Sequence, residues 1–277
     1  MLSKKIDFSA IIAVKNANPN GDPLNGNRPR INYDGYGEMS DVCLKRKIRN
    51  RLMDDGEAIL VQSDDYRNDG YHSIKDRYDS NLAIIGLDKK ATSDDVAKTA
   101  CDEWFDVRAF GQVLAFKGKS DKEAGVSIAV RGPVSIQSAF SLETVDVESL
   151  QITKSVNLET NTKDPSKKAG DTIGTKHRVS KGIYVTYGSI NRQLAEKTGF
   201  SDEDAEKLKR AILKMFDNDE SSARPAGSME IVKVIWWTHN EKTLSSAKVH
   251  KSLKVNPDGT YQLERLDGIT AEEFDGE

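Results

Sequence analysis

The chain has 277 residues, of which 37% are hydrophobic and 31% charged, and its formal net charge is -3. These values are typical of a globular protein with a modest core, and no apolar run approaches the roughly 20 residues that a membrane-spanning helix needs. The start MLSKK leads directly into a strand pattern, so we expect no secretory signal and a cytoplasmic protein. Cys43 and Cys101 form no CxxC pattern, which argues against a disulfide framework or a zinc site.

The first predicted elements are a strand, a long loop and a helix. Apolar residues alternate over residues 6–14, which is the period of a β-strand. A loop rich in Asn, Gly and Pro follows over residues 16–36. A helix is predicted over about 41–53, with Ser40 as its N-cap. One apolar stripe at i, i+4 and i+8 should face the core; it consists of Leu44, Ile48 and Leu52.

Positive charge is concentrated in this loop and helix. The residues that carry it are Arg28, Arg30, Lys45, Arg46, Lys47, Arg49 and Arg51. In an acidic protein such a concentration indicates a local site for a polyanion, and a nucleic-acid backbone is the commonest polyanion of that reach. The alternative is a solvated basic face whose charges pair with acids elsewhere in the chain. Because Arg28 and Arg30 lie in the loop next to this helix, we favour a polyanion site over the solvated face.

The rest of the chain predicts one α+β domain over residues 1–277. A polar surface insertion is expected over 54–90, followed by a helix from 92 or 93 to near 108. Strands are expected over 126–130, 134–136, 152–156 and 178–187, and then a helix that is capped by Ser201 and Asp204 and extends to Phe216. An apolar strand over 229–237 follows, and the segments 249–255 and 261–263 flank a turn. Residues 157–176 show no apolar periodicity, so that stretch is either functional or disordered. The acidic tail from Asp267 is expected to end the fold or fray.

Several sequence segments together resemble a known family. The loop NPNGDP…GNRPR followed by DVCLKRKIRN is similar to the backbone subunit of type I CRISPR Cascade complexes, which is the seventh family of CRISPR-associated proteins. The loop looks most like the type I-C branch, with type I-B next. DVRAFG at 106–111, VRGPVSIQ at 130–137 and GTKHRVSKGIYVTYGSIN at 174–191 follow in the expected order. The resemblance therefore covers most of the chain.

The resemblance implies a fold, a function and partners. The fold would be a modified RRM-like (ferredoxin-like) palm with an inserted helical segment and a protruding β-hairpin thumb at about 156–175. The protein would bind CRISPR guide RNA, polymerise head-to-tail along its spacer and present it for pairing with target DNA. Further partners would be the fifth-family, large and small subunits of Cascade, and no membrane is implied.

The resemblance also implies site residues. The contacts to the guide backbone would be Ser40, Lys45, Arg46 and Arg49, accompanied by Arg28 and Arg30. Near the RNA would lie Gly132, Ser135 and Gln137, with the glycine permitting close backbone approach. At the thumb we expect Thr172, Ile173, Thr175, Lys176 and His177, with Ile173 as the candidate wedge between nucleotides. Reversing the charge of Lys45 and Arg49 is expected to abolish assembly on RNA and to leave the fold intact.

Two other functions stay open. One is a ribonuclease of the RAMP superfamily that acts on guide or target RNA, for which Asp22 and Asp41 are the testable acids. The chain has no HExxH, paired-carboxylate or nucleophile motif, and its calcium-loop and phosphate-loop likenesses fail on spacing. We therefore expect no enzyme activity, no metal and no cofactor. The other is a protein whose basic helix docks an acidic partner, and copurifying RNA would argue against it.

Overall fold

The computed structural model describes residues 1–87, 91–116, 126–153, 164, 173–240 and 243–276. Its strands are β1 (Ile6–Ala17), β2 (Gly21–Asp22), β3 (Arg28–Pro29), β4 (Tyr36–Met39), β5 (Gly111–Phe116), β6 (Val126–Arg131), β7 (Val134–Ile136), β8 (Ala139–Thr144), β9 (Val147–Thr153), β10 (Ile173–Ile190), β11 (Met229–His239), β12 (Leu253–Val255), β13 (Tyr261–Leu263) and β14 (Ile269–Asp275). Its helices are α1 (Asp41–Asp54), α2 (Ile74–Asp79), α3 (Leu82–Ile85), α4 (Ser93–Glu103), α5 (Phe105–Phe110), α6 (Arg192–Thr198), α7 (Asp202–Leu213) and α8 (Ser246–His250). None of these helices is long and apolar enough to cross a membrane.

A large antiparallel sheet organises the molecule, with strands in the order β14-β11-β1-β10-β8-β4 and with β7 and β9 also paired to β10. The strand β1 is almost wholly buried because it lies between β10 and β11. It pairs with β10 from Ile6, opposite Ile190, to Ala17, opposite Val179. The mixed α+β class expected from the sequence is therefore confirmed.

The helices α1 and α7 cover one face of this sheet. The predicted stripe of α1 is fully or almost fully buried and consists of Leu44, Ile48 and Leu52. It joins the apolar faces of α7, β1, β10 and β11 in one core. The hydroxyl of Ser40 accepts a hydrogen bond from Cys43 N at 3.2 Å, and Ser201 and Asp204 form a capping box at α7. Both helix starts were predicted correctly.

The opposite face of the sheet is covered by the segment that carries α8, β12 and β13. Side chains of this segment pack on Ile235 and Trp237 of β11. The strand β14 then pairs along β11 as the edge strand. Of the two alternatives given for the acidic tail from Asp267, the structure shows that it ends the fold and does not fray. The backbone groups of β11 need partners on that side, and an acidic edge strand supplies them while it keeps its charges in solvent.

The predicted surface insertion is ordered around a second core. Its buried residues are Leu60, Tyr78, Ala100, Cys101, Trp104, Val107, Leu114 and Ile128. The single helix expected from 92 or 93 to near 108 is two helices, since Trp104 adopts an extended conformation between α4 and α5. Its ring is 4% exposed and stacks on Tyr78 with centroids 6.3 Å apart, so burial of the indole determines the break.

The strands β9 and β10 continue beyond the main sheet as a two-stranded ribbon, formed by β9 and residues 173–179 of β10. They pair from Val147, opposite Val179, to Thr153, opposite Ile173. The sequence placed the first of these strands later in the chain, over 152–156, and predicted only the part of β10 over 178–187. Of the thumb predicted over 156–175, residues 173–175 belong to this ribbon, and the rest lies outside the described residues except for residue 164.

Candidate nucleic-acid interface

The loop between β1 and α1 is held by its own asparagines. Asn16 and Asn27 adopt left-handed conformations, with φ of 54° and 57°. The buried Asn18 donates from Nδ2 to the Asn27 carbonyl at 2.7 Å. A Cβ atom on Gly21 would lie 1.9 Å from Asn27 Oδ1, so a larger residue there would displace the Asn27 side chain. Asparagines therefore shape this loop, both through their backbone conformations and through a side-chain hydrogen bond to the local backbone.

The same loop fixes the start of α1. Asn20 Oδ1 accepts from the Ser40 backbone N at 2.9 Å and from the Ser40 hydroxyl at 3.0 Å. Since that hydroxyl also accepts from Cys43 N, it is used inside the protein as both donor and acceptor. Ser40 therefore positions the helix, and its predicted contact to RNA stays a prediction.

Each cation of α1 is paired with an acid. The pairs are Lys45 with Asp41 at 3.0 Å, Arg46 with Asp65 at 2.6 Å, Lys47 with Asp219, Arg49 with Asp106 at 2.9 Å, and Arg51 with Asp55 at 2.6 Å. This pairing of cations with acids is the alternative that the sequence analysis favoured less than a polyanion site. The side chain of Arg46 is 51% exposed and that of Lys45 25%, against 12% for Arg49. Only the first two have room to turn towards a phosphate.

The pair of Arg49 and Asp106 links α1 to the insertion. Asp106 is 1% exposed, and its carboxylate accepts from Arg49 Nε and from the backbone N of Leu60, at 2.8 Å, and of Val61, at 3.1 Å. The guanidinium also lies over the Phe110 ring, 5.1 Å from its centroid. These contacts make Arg49 a positioning residue within the fold.

Arg28 in β3 is directed at the ribbon instead. Its Nη1 donates to Ser149 Oγ at 3.0 Å and lies 3.5 Å from His177 Nδ1, and the Ser149 hydroxyl and His177 Nδ1 are 2.9 Å apart. Arginine can only donate, so Nδ1 is the acceptor in this cluster. Both partners of Arg28 lie on the ribbon, and within the described ranges no carboxylate pairs with its guanidinium. We call this space between β3 and the ribbon the loop–ribbon cleft.

The register of the ribbon separates the predicted thumb residues onto two faces. His177 lies opposite Ser149, and Thr175 lies opposite Gln151, on the face that meets Arg28. Ile173 shares that face and is 61% exposed, so its predicted role as a wedge stays a prediction. Lys176 lies opposite Leu150 on the other face, away from the cleft. Thr172 lies outside the described residues.

The VRGPVSIQ residues lie elsewhere. Ser135 is opposite Ser189, and Gln137 N donates to Tyr187 O at 2.8 Å, so these residues meet β10 ten to twelve positions beyond His177. At about 3.3 Å per residue that is a separation of roughly 30–40 Å. Both side chains are exposed. They belong to a different part of the surface from the loop–ribbon cleft.

Gly132 is required by packing within the chain. A Cβ atom there would lie 2.4 Å from Ala109 O, from Phe110 C and from Gly111 N. The close approach that we expected towards RNA is therefore made to the backbone of α5 and β5. This contact joins the DVRAFG and VRGPV segments, because Gly111 and Gly132 pack on each other.

Sequence reasoning missed Ser149, which completes the cleft. The alternation in VESLQIT over residues 147–153 is a strand signal, and pairing it with the GTKHR segment would have placed Ser149 opposite His177. In the described ranges no three His, Cys, Asp or Glu side chains form a group suited to a metal ion.

Comparison with known proteins identifies the family. The profile of the family described as CRISPR-associated protein Cas7 matches residues 4–271. A curated protein of Haloferax volcanii with that description is 30% identical over 225 residues, which cover 77% of this chain and 64% of the relative. The chain thus spans slightly under two thirds of that relative's length. The chain belongs to the Cas7 family of CRISPR-associated proteins, as the sequence motifs indicated.

Two solved structures were found to be similar to the chain. One, titled CRISPR RNA-guided surveillance complex, pre-nicking, has a TM-score of 0.49 at 14% identity and covers 88% of this chain and 81% of its own. The other, titled CRISPR RNA-guided surveillance complex, has a TM-score of 0.44 at 18% identity, with coverages of 92% and 77%. Both TM-scores lie below one half, so the family assignment depends on the sequence comparisons.

Proposed function

We propose that this protein is the guide-RNA-binding backbone subunit of a type I Cascade complex, most like type I-C, and that it polymerises along the guide spacer. The observation that supports this most directly is the loop–ribbon cleft. There a guanidinium faces a serine and a histidine, and no acid of the described residues pairs with it, in a chain of the Cas7 family. Guanidinium, hydroxyl and imidazole groups are suited to phosphate and sugar oxygens and carry no base code. Sequence reading would then be left to pairing between guide and target DNA.

The sheet supports the proposed RRM-like palm. The strands β11, β1, β10 and β7 lie side by side in that order, with α1 following β1 and α7 preceding β11. This is the βαββαβ arrangement of ferredoxin-like folds. RRM domains stack RNA on the open sheet face, but here α8, β12 and β13 cover that face. Binding in the loop–ribbon cleft, at the end of the sheet, is consistent with that cover.

Assembly would use copies of the chain in head-to-tail contact. Such a heterologous contact generates an open helix, whose length the guide and the capping partners would set. We take the ribbon as the base of the thumb, and its outward face exposes Leu150 and Ile152 to 38% and 50%. The proposed partners are guide RNA, target DNA through pairing, and the fifth-family, large and small subunits, in the cytoplasm.

We also propose that the chain is not a ribonuclease. Its candidate acid and base groups already have structural partners. His177 is bonded to Ser149, Asp22 caps a 3-10 turn and lies 3.5 Å from Arg30, and Asp41 pairs with Lys45. RNA shortening by the pure protein, lost in Asp22→Ala or His177→Ala, would contradict this proposal.

The RNA-binding proposal is tested with Arg28→Gln. Fluorescence anisotropy with a labelled single-stranded RNA should show weaker binding and a log-log salt slope reduced by about 0.7, the value for one lost phosphate contact. The matched control is Arg265→Gln, since Arg265 is exposed and forms no ion pair in the described part of the chain. Equal slopes in the two variants would show that the cleft does not bind phosphate.

The assembly proposal is tested by shortening the ribbon. Thr153 and Ile173 are directly opposite, so a two-residue Asn-Gly turn can join them in place of residues 154–172. The shortened chain keeps Arg28, Ser149 and His177, so it should fold and bind RNA as single copies. Sedimentation on a long guide should then show that the wild-type chain forms multi-copy assemblies and the shortened chain does not. Normal assembly would place the head-to-tail contact elsewhere.

A further inference from the structure

A tight turn beside the loop–ribbon cleft holds a tyrosine entirely in solvent. The turn spans residues 32–36, and the side chain of Tyr33 at its tip is fully exposed. In the described part of the chain its ring and hydroxyl have no partner. Single exposed apolar residues are common on protein surfaces, so exposure alone does not define a site. The backbone of the turn and its position supply the further evidence.

Asn32 fixes the backbone of this turn. Its Oδ1 accepts from the backbone N of Asp34 at 3.0 Å and of Tyr36 at 2.9 Å, and its own backbone N donates to Tyr36 O at 2.8 Å. Gly35 has a left-handed φ of 85°, which favours glycine. The ring of Tyr33 therefore stands on a preorganised backbone, and a ligand would not have to order the turn in order to bind.

The turn lies next to the base of the ribbon. Gly35 O accepts from Val145 N at 3.1 Å, and Val145 is four residues before Ser149, so those two Cα atoms are at most about 14 Å apart. Arg28 precedes Tyr33 by five residues, which limits their Cα separation to about 18 Å. One short stretch of a single strand can therefore reach both the loop–ribbon cleft and the turn.

The chemistry of the turn fits a nucleobase. The neighbours of Tyr33 in the turn are Asn32, Asp34 and Gly35, which are polar or have no side chain. A single ring in such surroundings offers one flat apolar face, and every base has a π-face that stacks on such a ring. The carboxylate of Asp34 repels phosphate, so the sugar–phosphate backbone of a bound strand should lie on the side of Arg28.

We propose that Tyr33 is a stacking platform for one base of the single strand whose phosphate Arg28 binds. The inference rests on the proposed RNA-binding function and adds a contact to the bases, which the cleft does not supply. Stacking uses the flat face of a base and leaves its hydrogen-bonding edge free. The contact is therefore neutral in sequence and compatible with pairing between guide and target DNA.

The platform is tested with Tyr33→Ser and, as the matched control, Tyr33→Phe, which keeps the ring. In anisotropy with a short single-stranded RNA, Tyr33→Ser should bind about 5- to 150-fold more weakly, the range for one lost stacking contact. Its log-log salt slope should equal that of wild type, because no phosphate contact is lost. Tyr33→Phe should bind as wild type does. Equal affinities of wild type and Tyr33→Ser, or equal losses in both variants, would overturn the proposal.

A strand of the same length without bases separates the base from the sugar–phosphate backbone. Wild type and Tyr33→Ser should bind this abasic strand equally, since it offers nothing to stack. A loss of the same size on the abasic strand and on RNA would show that the side chain contacts the backbone of the strand, and stacking would be refuted.

Tyr33→Trp supplies a spectroscopic signal for the same contact. Trp104, Trp236 and Trp237 are at most 4% exposed, so acrylamide should quench mainly the introduced indole. RNA should quench the emission of that indole and protect it from acrylamide, and the abasic strand should do neither. Unchanged emission and unchanged acrylamide quenching at saturating RNA would contradict the proposal.

The outcomes separate this inference from the function on which it rests. If Arg28→Gln flattens the salt slope and Tyr33→Ser changes nothing, the stacking proposal is wrong and the RNA-binding function stands. If wild type binds no RNA, both are wrong. Ile31 and Tyr36 are also exposed at the turn, so contact with a neighbouring copy is the competing explanation. If Tyr33→Ser binds short RNA normally and fails only in multi-copy assembly on a long guide, the turn joins copies and the stacking proposal fails.

Discussion

Replacing Arg49 with alanine should destabilise the fold far more than replacing Lys45. Both were predicted from the sequence as contacts to RNA, and reversal of both charges was expected to leave the protein folded. The structure revises that expectation for Arg49, because its partner Asp106 is 1% exposed. Without the guanidinium, the carboxylate stays buried with two backbone amides as its remaining donors.

The magnitude follows from burial. Removing one partner of a buried ion pair costs about 3–5 kcal/mol, since it leaves an uncompensated charge, and whole domains are stable by about 5–15 kcal/mol. Loss of the stacking on Phe110 adds to the cost. Lys45 and Asp41 form a half-exposed i,i+4 pair on one helix, which contributes about 0.3–0.5 kcal/mol. The two variants should therefore differ by several kcal/mol.

Urea unfolding followed by circular dichroism measures this difference. With a slope of about 3 kcal/mol per molar, Arg49→Ala should lower the midpoint by about 1–2 M and Lys45→Ala by about 0.1–0.2 M. Arg46→Ala serves as the exposed-pair control. Combining Arg49→Ala with Asp106→Asn should recover part of the loss, since the buried charge is then gone. Equal midpoints for the variants at positions 45 and 49 would refute the assignment of Arg49 as a positioning residue.

Gly132→Ala should lower the melting temperature by an amount equivalent to about 1–3 kcal/mol, because the new Cβ would meet backbone atoms at 2.4 Å. Gly174→Ala is the control and should be tolerated, because its Cβ would meet only the Ile152 side chain, at 3.5 Å. Burial would raise the pKa of Asp7, but the hydrogen bond with His239 at 2.7 Å, together with His250 Nε2 at 3.6 Å, outweighs it and keeps that pKa below its usual value of 3.8. Its charge therefore stabilises the fold above about pH 4, and the stability gap between wild type and Asp7→Asn in urea unfolding should shrink as pH falls below that value. Burial raises the pKa of Cys101 to about 11, so iodoacetamide should label it at neutral pH only after unfolding, which mass spectrometry can follow.

The elements that the sequence predicted well are those with strong local signals. The helices α1 and α7 have capping residues and regular apolar stripes. The strands β1 and β11 have apolar runs, because both faces of the sheet are buried there. The misses have weak local signals. The strand β14 is acidic and forms because β11 offers an open edge, and α4 ends early because Trp104 has a partner in Tyr78, which comes from another segment.

The candidate site was predicted residue by residue but not as an arrangement. Arg28 and His177 were each named, yet their meeting at Ser149 depends on a register that pairs residues far apart in sequence. At α1, by contrast, residues were predicted to bind RNA that the fold already pairs with acids. Asp65 and Asp106 follow the helix at distances that no local pattern reveals, so their pairing with Arg46 and Arg49 could not be predicted from the sequence.

This difference indicates where a polyanion should bind in a chain of net charge -3. A cation already matched by a carboxylate gains little from a phosphate, since the new contact must replace the existing one. A cation with neutral partners or none adds its full attraction, and it releases counterions on binding. Arg28 is among the described cations that meet that condition, and it contacts the ribbon through Ser149 and His177. The basic helix, by contrast, has an acid for each of its cations, so we expect its charges to act mainly through the fold.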